Sequence, residues 1–141
     1  MLISEGNCMN NEIVNPDTLF NSVPMGYSHA VISKGSVHIH CSGQVAWDKD
    51  QNLVGDDVGE QARQVLANLK EVLASAGAEV RDIIQLRTYV VNLNPALLEP
   101  IGRSIGEFYG GSAPAANTLI GVQSLALPEF LIEIEATAVL R

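Results

Sequence analysis

Positive charge is scarce in this sequence: eight Lys and Arg stand against sixteen Asp and Glu, a formal net charge of -8. Nucleic-acid phosphates are held by clustered cations, and the few cations here are scattered, so no nucleic acid is expected as a partner. Cysteine is nearly absent as well. Cys8 and Cys41 are too few for a disulfide scaffold and have no metal-ligand spacing, so both are expected as reduced thiols. No apolar run approaches the length of a membrane span. The opening "MLISEGNCMNNEIV" has neither the basic start nor the apolar core of a signal peptide. A cytoplasmic protein without a membrane partner is the expectation. Also missing are a Ser-His-Asp set, a phosphate loop and a zinc motif at the spacings those sites need.

What remains is 47% hydrophobic and only 17% charged over 141 residues. That composition suits one buried globular domain, residues 1–141, with 1–14 as a partly variable N-terminal segment and surplus apolar surface that copies of the chain can cover. The middle of the chain has a period near 3.6. Val58, Ala62, Val65, Leu66, Leu69, Val72, Leu73 and Ala76 form one apolar face of a long helix, capped by Asp56 or Asp57 and ended by Gly77. A second helix is expected from about Pro95 to Tyr109, with Leu97, Leu98, Ile101, Ile105 and Phe108 on one side, although Pro100, Gly102 and Gly106 weaken it. Strand patterns surround both. "EIVN" opens the chain; "AVIS" and "SVHIHCSG", flanking Lys34-Gly35, read as a hairpin; "DIIQLRTYVVNL", "NTLIGVQSL" and "FLIEIEATAVL" supply three more. The order β-β-β-α-β-α-β-β predicts an α+β fold, a sheet with both helices on one face.

Few side chains form a chemical constellation. His38 and His40 alternate on one strand face and can share a metal only with a third ligand that the sequence does not place, so hydrogen bonding within a sheet or a subunit contact is favoured. His29 stands alone and reads as structural. Cys41, on an apolar strand, reads as a small buried hydrophobe. Glu133 and Glu135 share a face of the last strand. If that face is buried, a carboxylate there suits general acid and base work; if it is open, both are solvated charges. Tyr27 in "MGYSHAV" adds a phenol, and "CSGQ" adds a glycine whose backbone N–H can bind an oxygen.

Taken in order, "GYSHAV", "CSGQVAWD", "EQARQVLANLKEVLASAGA", "DIIQLRTYVVNL", "SAPA" and "LIEIEATAVL" resemble the YjgF/RidA family of reactive-intermediate deaminases from about Tyr27 to Val139. The resemblance implies a chorismate-mutase-like α+β fold, a homotrimer, and a small-molecule ligand in clefts between subunits. It also implies hydrolysis of enamines and imines to ammonia and a 2-oxo acid with no metal or cofactor. By position, Tyr27 matches the family's "GPYSQAV" tyrosine and Ser42-Gly43 match its cleft-lining "SGQ". Glu133 matches the first glutamate of "EIEA", to which the positioning of the attacking water is assigned. Tyr27 and Glu133 are thus the implied catalytic residues, and Ser42, Gly43, Ala116 and Thr118 the substrate-binding ones.

The resemblance is incomplete. The family's "PAR" is here Pro114-Ala115-Ala116, so the guanidinium that would grip a substrate carboxylate is replaced by a methyl group. Gly102 stands where an asparagine is expected, and His29 where a glutamine is. Arg87 and Arg103 are the candidates to compensate, against a plainer role at the surface or an interface. The expected activity is therefore a deaminase-like hydrolysis of an imine or enamine other than the usual 2-aminoacrylate type; the alternative is a non-catalytic ligand-binding or regulatory trimer.

Overall fold

The computed structural model describes residues 11–141; Cys8 lies outside them. Helix α1 (Val58–Ser75) begins where the Asp57 side chain accepts the Glu60 N–H at 2.8 Å, so Asp57 is the cap. Glu60 in turn reaches back to the Asp56 N–H at 2.8 Å. Val58, Ala62, Val65, Leu66, Leu69 and Leu73 are buried on one stripe. Ala76 lies past the helix end and is exposed, because the chain turns away at Gly77, whose φ is +77°. Helix α2 (Pro95–Tyr109) is capped by Asn94, which accepts the Ala96 N–H at 3.0 Å. Its buried stripe is Ile101, Ser104, Ile105 and Tyr109; Leu98, expected on that side, is 49% exposed. Pro100 is tolerated where the helices meet. Gly59 of α1 faces it closely, and the Ser104 hydroxyl donates to the carbonyls of Pro100 (2.9 Å) and Gly59 (3.3 Å), tying α2 to α1.

Strands β1 (Asn11–Val14) and β2 (Ala30–Ser33) pair antiparallel as a small separate sheet. The main sheet contains β3 (Val37–Gln44), β4 (Ile83–Val91), β5 (Ala116–Val122) and β6 (Ile132–Leu140) in the order β3-β6-β4-β5. Only β4 and β5 are parallel, and α2 supplies the crossover that a parallel pair requires. The expected hairpin of "AVIS" with "SVHIHCSG" does not form: β2 pairs with β1, and β3 with β6. Gly35 is needed here for close approach and not for a tight turn. A Cβ on it would run into the Leu140 carbonyl and come within 2.7 Å of Val139, where the chain crosses from the small sheet to the edge of the large one.

Both helices cover one face of the main sheet. Ile132, Ile134, Ala136 and Ala138 of β6 and Leu86, Thr88 and Val90 of β4 point into that core, and the alternate residues face the other way. Gln61 is the polar member that fixes the approach to β6. At 1% exposure its amide donates to the carbonyls of Gly55 (3.2 Å) and Glu129 (3.0 Å), and its oxygen accepts the Leu131 N–H (2.9 Å). Gln61→Leu is expected to lower unfolding stability by about 3–5 kcal/mol, because three buried backbone groups lose their partner. Urea denaturation checks this; a loss under about 1 kcal/mol would mean that β6 is seated without Gln61.

Candidate functional site

The face of the main sheet away from the helices, hereafter the open face, carries the acidic pair. On β3 the register slips: Cys41 opposes Ala136 and Gln44 opposes Ile134, so Ser42 and Gly43 together face the single residue Glu135. Such a bulge bends the strand and leaves backbone out of the ladder. Gly43 lies directly against the Glu133 side chain. A Cβ there would come within 2.8 Å of Glu133 Cγ and Cδ and overlap its carboxylate, so glycine is what gives that carboxylate its room.

Glu133 is half-buried, and burial first, then the charge of Glu135, hold its carboxyl above its ordinary pKa. Glu135 is engaged differently: the Tyr89 hydroxyl donates to its Oε1. That bond is also the main cause that pushes the Tyr89 phenol up. Register places Tyr89 beside Glu133 and Arg87 beside Glu135, all on the open face. A half-buried carboxylate with a raised pKa, unoccupied by any hydrogen bond among the described residues, can take a proton from water and return it.

Tyr27 and Thr118 lie elsewhere. Both line a groove of about 870 Å3 between α2 and the outer edge of β5, with Met25, Gly102, Arg103 and Asn117 among its other walls. Tyr27 packs edge-on to Phe20 and His29 at centroid distances of 6.4 and 5.8 Å. His29 is structural: its N–H donates to Asn15 Oδ1 at 2.8 Å and its ring Nε2 lies 2.9 Å from the Phe20 carbonyl oxygen. Ala116 opens β5 beside Gln85, where Ser28 bridges to it. The expected site residues therefore fall into two groups. Ser42, Gly43 and Glu133 lie at β3 and β6, whereas Tyr27, Thr118 and Ala116 lie at β5, with β4 between and thus about 10 Å of sheet separating them.

The remaining candidates are placed as follows. The His38 and His40 rings stack at 6.3 Å and 20°, exposed on the open face; neither ring is hydrogen-bonded among the described residues. No group of three or more His, Cys, Asp or Glu able to hold a metal occurs among them. Cys41 is buried in the core and burial pushes its thiol up. Arg103 sits at the groove rim, paired with Glu99. Tyr89 was missed by sequence reasoning. The signal was available in "QLRTYV", where Gln85, Arg87 and Tyr89 alternate with core residues, but only the register shows that Arg87 and Tyr89 meet the two glutamates. No helix among the described residues is long and apolar enough to cross a membrane.

Two helices laid on a mixed sheet, with a bulged strand seating an acidic residue, define a class, and comparison with known proteins identifies it. The family model described as Endoribonuclease L-PSP matches residues 21–140. The chain belongs to that family, the YjgF/RidA or Rid family. Among curated relatives, it is 35% identical over 118 residues to a RutC family protein of Pyrococcus horikoshii, covering 82% of this chain and 88% of that protein. It is also 35% identical over 102 residues to the 2-iminobutanoate/2-iminopropanoate deaminase of Salmonella typhimurium, covering 71% of this chain and 77% of that one. Among solved structures, the Rid family protein YyfB of Yersinia pestis, described as of unknown function, superposes with a TM-score of 0.91 at 57% identity, covering 94% of this chain and 100% of that one.

The raised pKa of Glu133 has a consequence for stability. A carboxyl that binds its proton more tightly when folded weakens the fold once it ionises above the folded pKa, and the penalty vanishes below the ordinary carboxyl value. Glu133→Gln is therefore expected to raise Tm at about pH 8 and leave it unchanged near about pH 3.5. Thermal melts across this range check it; an equal gain at both ends would place the cause outside ionisation.

Proposed function

We propose that this protein is a hydrolase of the RidA kind, working as a homotrimer on a small imine or enamine other than the 2-aminoacrylate type, with no metal or cofactor. The observation that carries the reading is the Glu133 carboxyl, half-buried against Gly43 with its pKa raised. In the proposed reaction Glu133 takes a proton from water as the oxygen attacks the C=N carbon. With the C=N nitrogen protonated, this gives a neutral carbinolamine; Glu133 returns its proton to the amine nitrogen and takes the hydroxyl proton as the C–N bond breaks, so that ammonia leaves and a carbonyl remains. Only a base, an acid and a held substrate are required. Backbone at Ser42 and Gly43 borders the ligand. Tyr27 and Thr118 stand on the opposite wall, and Tyr27 is the second catalytic residue.

A cleft between subunits is supported by the separation of the two groups. Within one chain Tyr27 lies in the groove beyond β5, whereas Thr118 shares the open face with Arg87, so a neighbouring copy is the simplest source of the phenol beside Glu133. The deaminase named among the relatives supports the reaction type. The small side chain at Ala116 and the absence of one at Gly102 support a different substrate, and they equally support the second reading, a ligand-binding trimer without turnover. The ribonuclease in the family model's description gains no support from a chain with net charge -8.

Ammonia release from freshly generated 2-iminopropanoate tests the proposal. The natural protein is expected to be slow, because the substrate carboxylate meets no counter-charge at position 116. Ala116→Arg is expected to raise kcat/KM about ten- to a thousandfold, and Ala116→Arg/Glu133→Gln to lose the gain. No gain in a folded Ala116→Arg, with no ammonia from any other C=N compound, would favour the binding module. Native mass spectrometry is expected to show a trimer; a monomer at micromolar concentration would remove the shared cleft.

A further inference from the structure

Three arginines pair with a neighbouring glutamate: Arg63 with Glu107 at 3.2 Å, Arg81 with Glu79 at 2.7 Å, and Arg103 with Glu99. Arg87 does not. Its cross-strand partner is Glu135, the residue an arginine would ordinarily hold. The Glu135 carboxylate receives the Tyr89 hydroxyl instead, and Arg87 enters no ion pair among the described residues. Its side chain is exposed on the open face, at a depression of about 260 Å3 walled otherwise by His40, Gln85, Glu135, Ala136 and Thr137. Polar groups thus converge on one small space, and its one carboxylate is already occupied by Tyr89.

Register relates this depression to position 116. His40, Thr137, Gln85 and Ala116 lie at one level across the four strands, and Arg87 lies at the next level between Glu135 and Thr118. Arg87 and Ala116 are thus diagonal neighbours on adjacent strands of one face, about 7–8 Å apart, within the reach of a long side chain. Arg87 has the same relation to Glu133, whose direct partner is Tyr89. A guanidinium so placed can present two parallel N–H groups to a carboxylate lying over the sheet.

We infer that Arg87, with Gln85 and Thr137 beside it, is the anion grip of the ligand cleft and holds the carboxylate of a small carboxylate-bearing ligand where position 116 supplies no cation. This rests on the reading of the open face as part of the ligand site, but not on turnover. A grip one strand over from position 116 also moves the ligand's charge relative to Glu133.

The test is equilibrium binding of pyruvate and of 2-oxoglutarate, followed by calorimetry, with methyl pyruvate as the uncharged control. At least one acid is expected to bind the natural protein. Arg87→Met is expected to weaken that binding about ten- to a hundredfold, and Arg87→Lys, which keeps charge but loses the fork, by less. Arg63→Met, at a surface ion pair, should bind as the natural protein does, and methyl pyruvate should not distinguish Arg87→Met from it. Melting curves check folding, and Arg87→Lys carries the comparison if Arg87→Met does not fold. No binding of either acid, unchanged binding in the Arg87 variants, or equal weakening for acid and ester would overturn the inference. Arg87-dependent binding without ammonia from any C=N compound would uphold the grip and remove the hydrolase; turnover with binding indifferent to Arg87 would do the reverse.

Discussion

The contact of Gly43 with Glu133 is the constraint on which the acidic end of the open face depends. A strand in regular register would put a side chain opposite β6 at every level. The extra residue in β3 instead brings a backbone without Cβ against the carboxylate. Glu133 is half-buried there rather than solvated, and burial, more than its neighbour's charge, raises its pKa. The rest of the chain keeps this contact in place. Gln61 anchors the segment entering β6, α1 packs across β6 and β3 from the core side, and Asn68 donates to the carbonyls of Val45 (3.0 Å) and Trp47 (2.9 Å), holding the chain that leaves the bulge.

The open face is built from pairs of opposite or shared charge whose roles register separates. Glu135 and Tyr89 satisfy each other, which leaves Glu133 without a hydrogen-bond partner and Arg87 without an ion pair among the described residues. Groups left unpaired in this way cluster at functional sites.

Much of the fold was legible because it rests on local rules. The 3.6 period located α1 and α2 within a residue or so, and the alternation in "LIEIEATAVL" put Glu133 and Glu135 on one face. Where the reading failed, tertiary packing decided. "SKGS" looks like a turn between two strands, yet Gly35 is there because the Leu140 carbonyl approaches it, a contact made across the whole length of the chain. Leu98 fits the apolar stripe of α2 and is nonetheless exposed, since the stripe in contact with α1 runs through Ile101, Ser104 and Ile105. The candidate site residues were named one by one from resemblance. That they divide into two groups, and that Tyr89 and Arg87 adjoin the acidic one, depends on strand order and register, which no single strand's pattern contains.

Gly43→Ala tests the central claim most directly. The atoms its Cβ would displace are the flexible end of Glu133 and not backbone, so the fold should lose no more than about 1 kcal/mol. A carboxylate moved by about 1 Å costs on the order of a hundredfold in rate. Ammonia release from a panel of imines and enamines, measured beside urea unfolding, is expected to fall by about that factor in Gly43→Ala at nearly unchanged stability. Equal release from the variant and the natural protein would contradict the account, because Glu133 would then act, or fail to act, without its seat on Gly43.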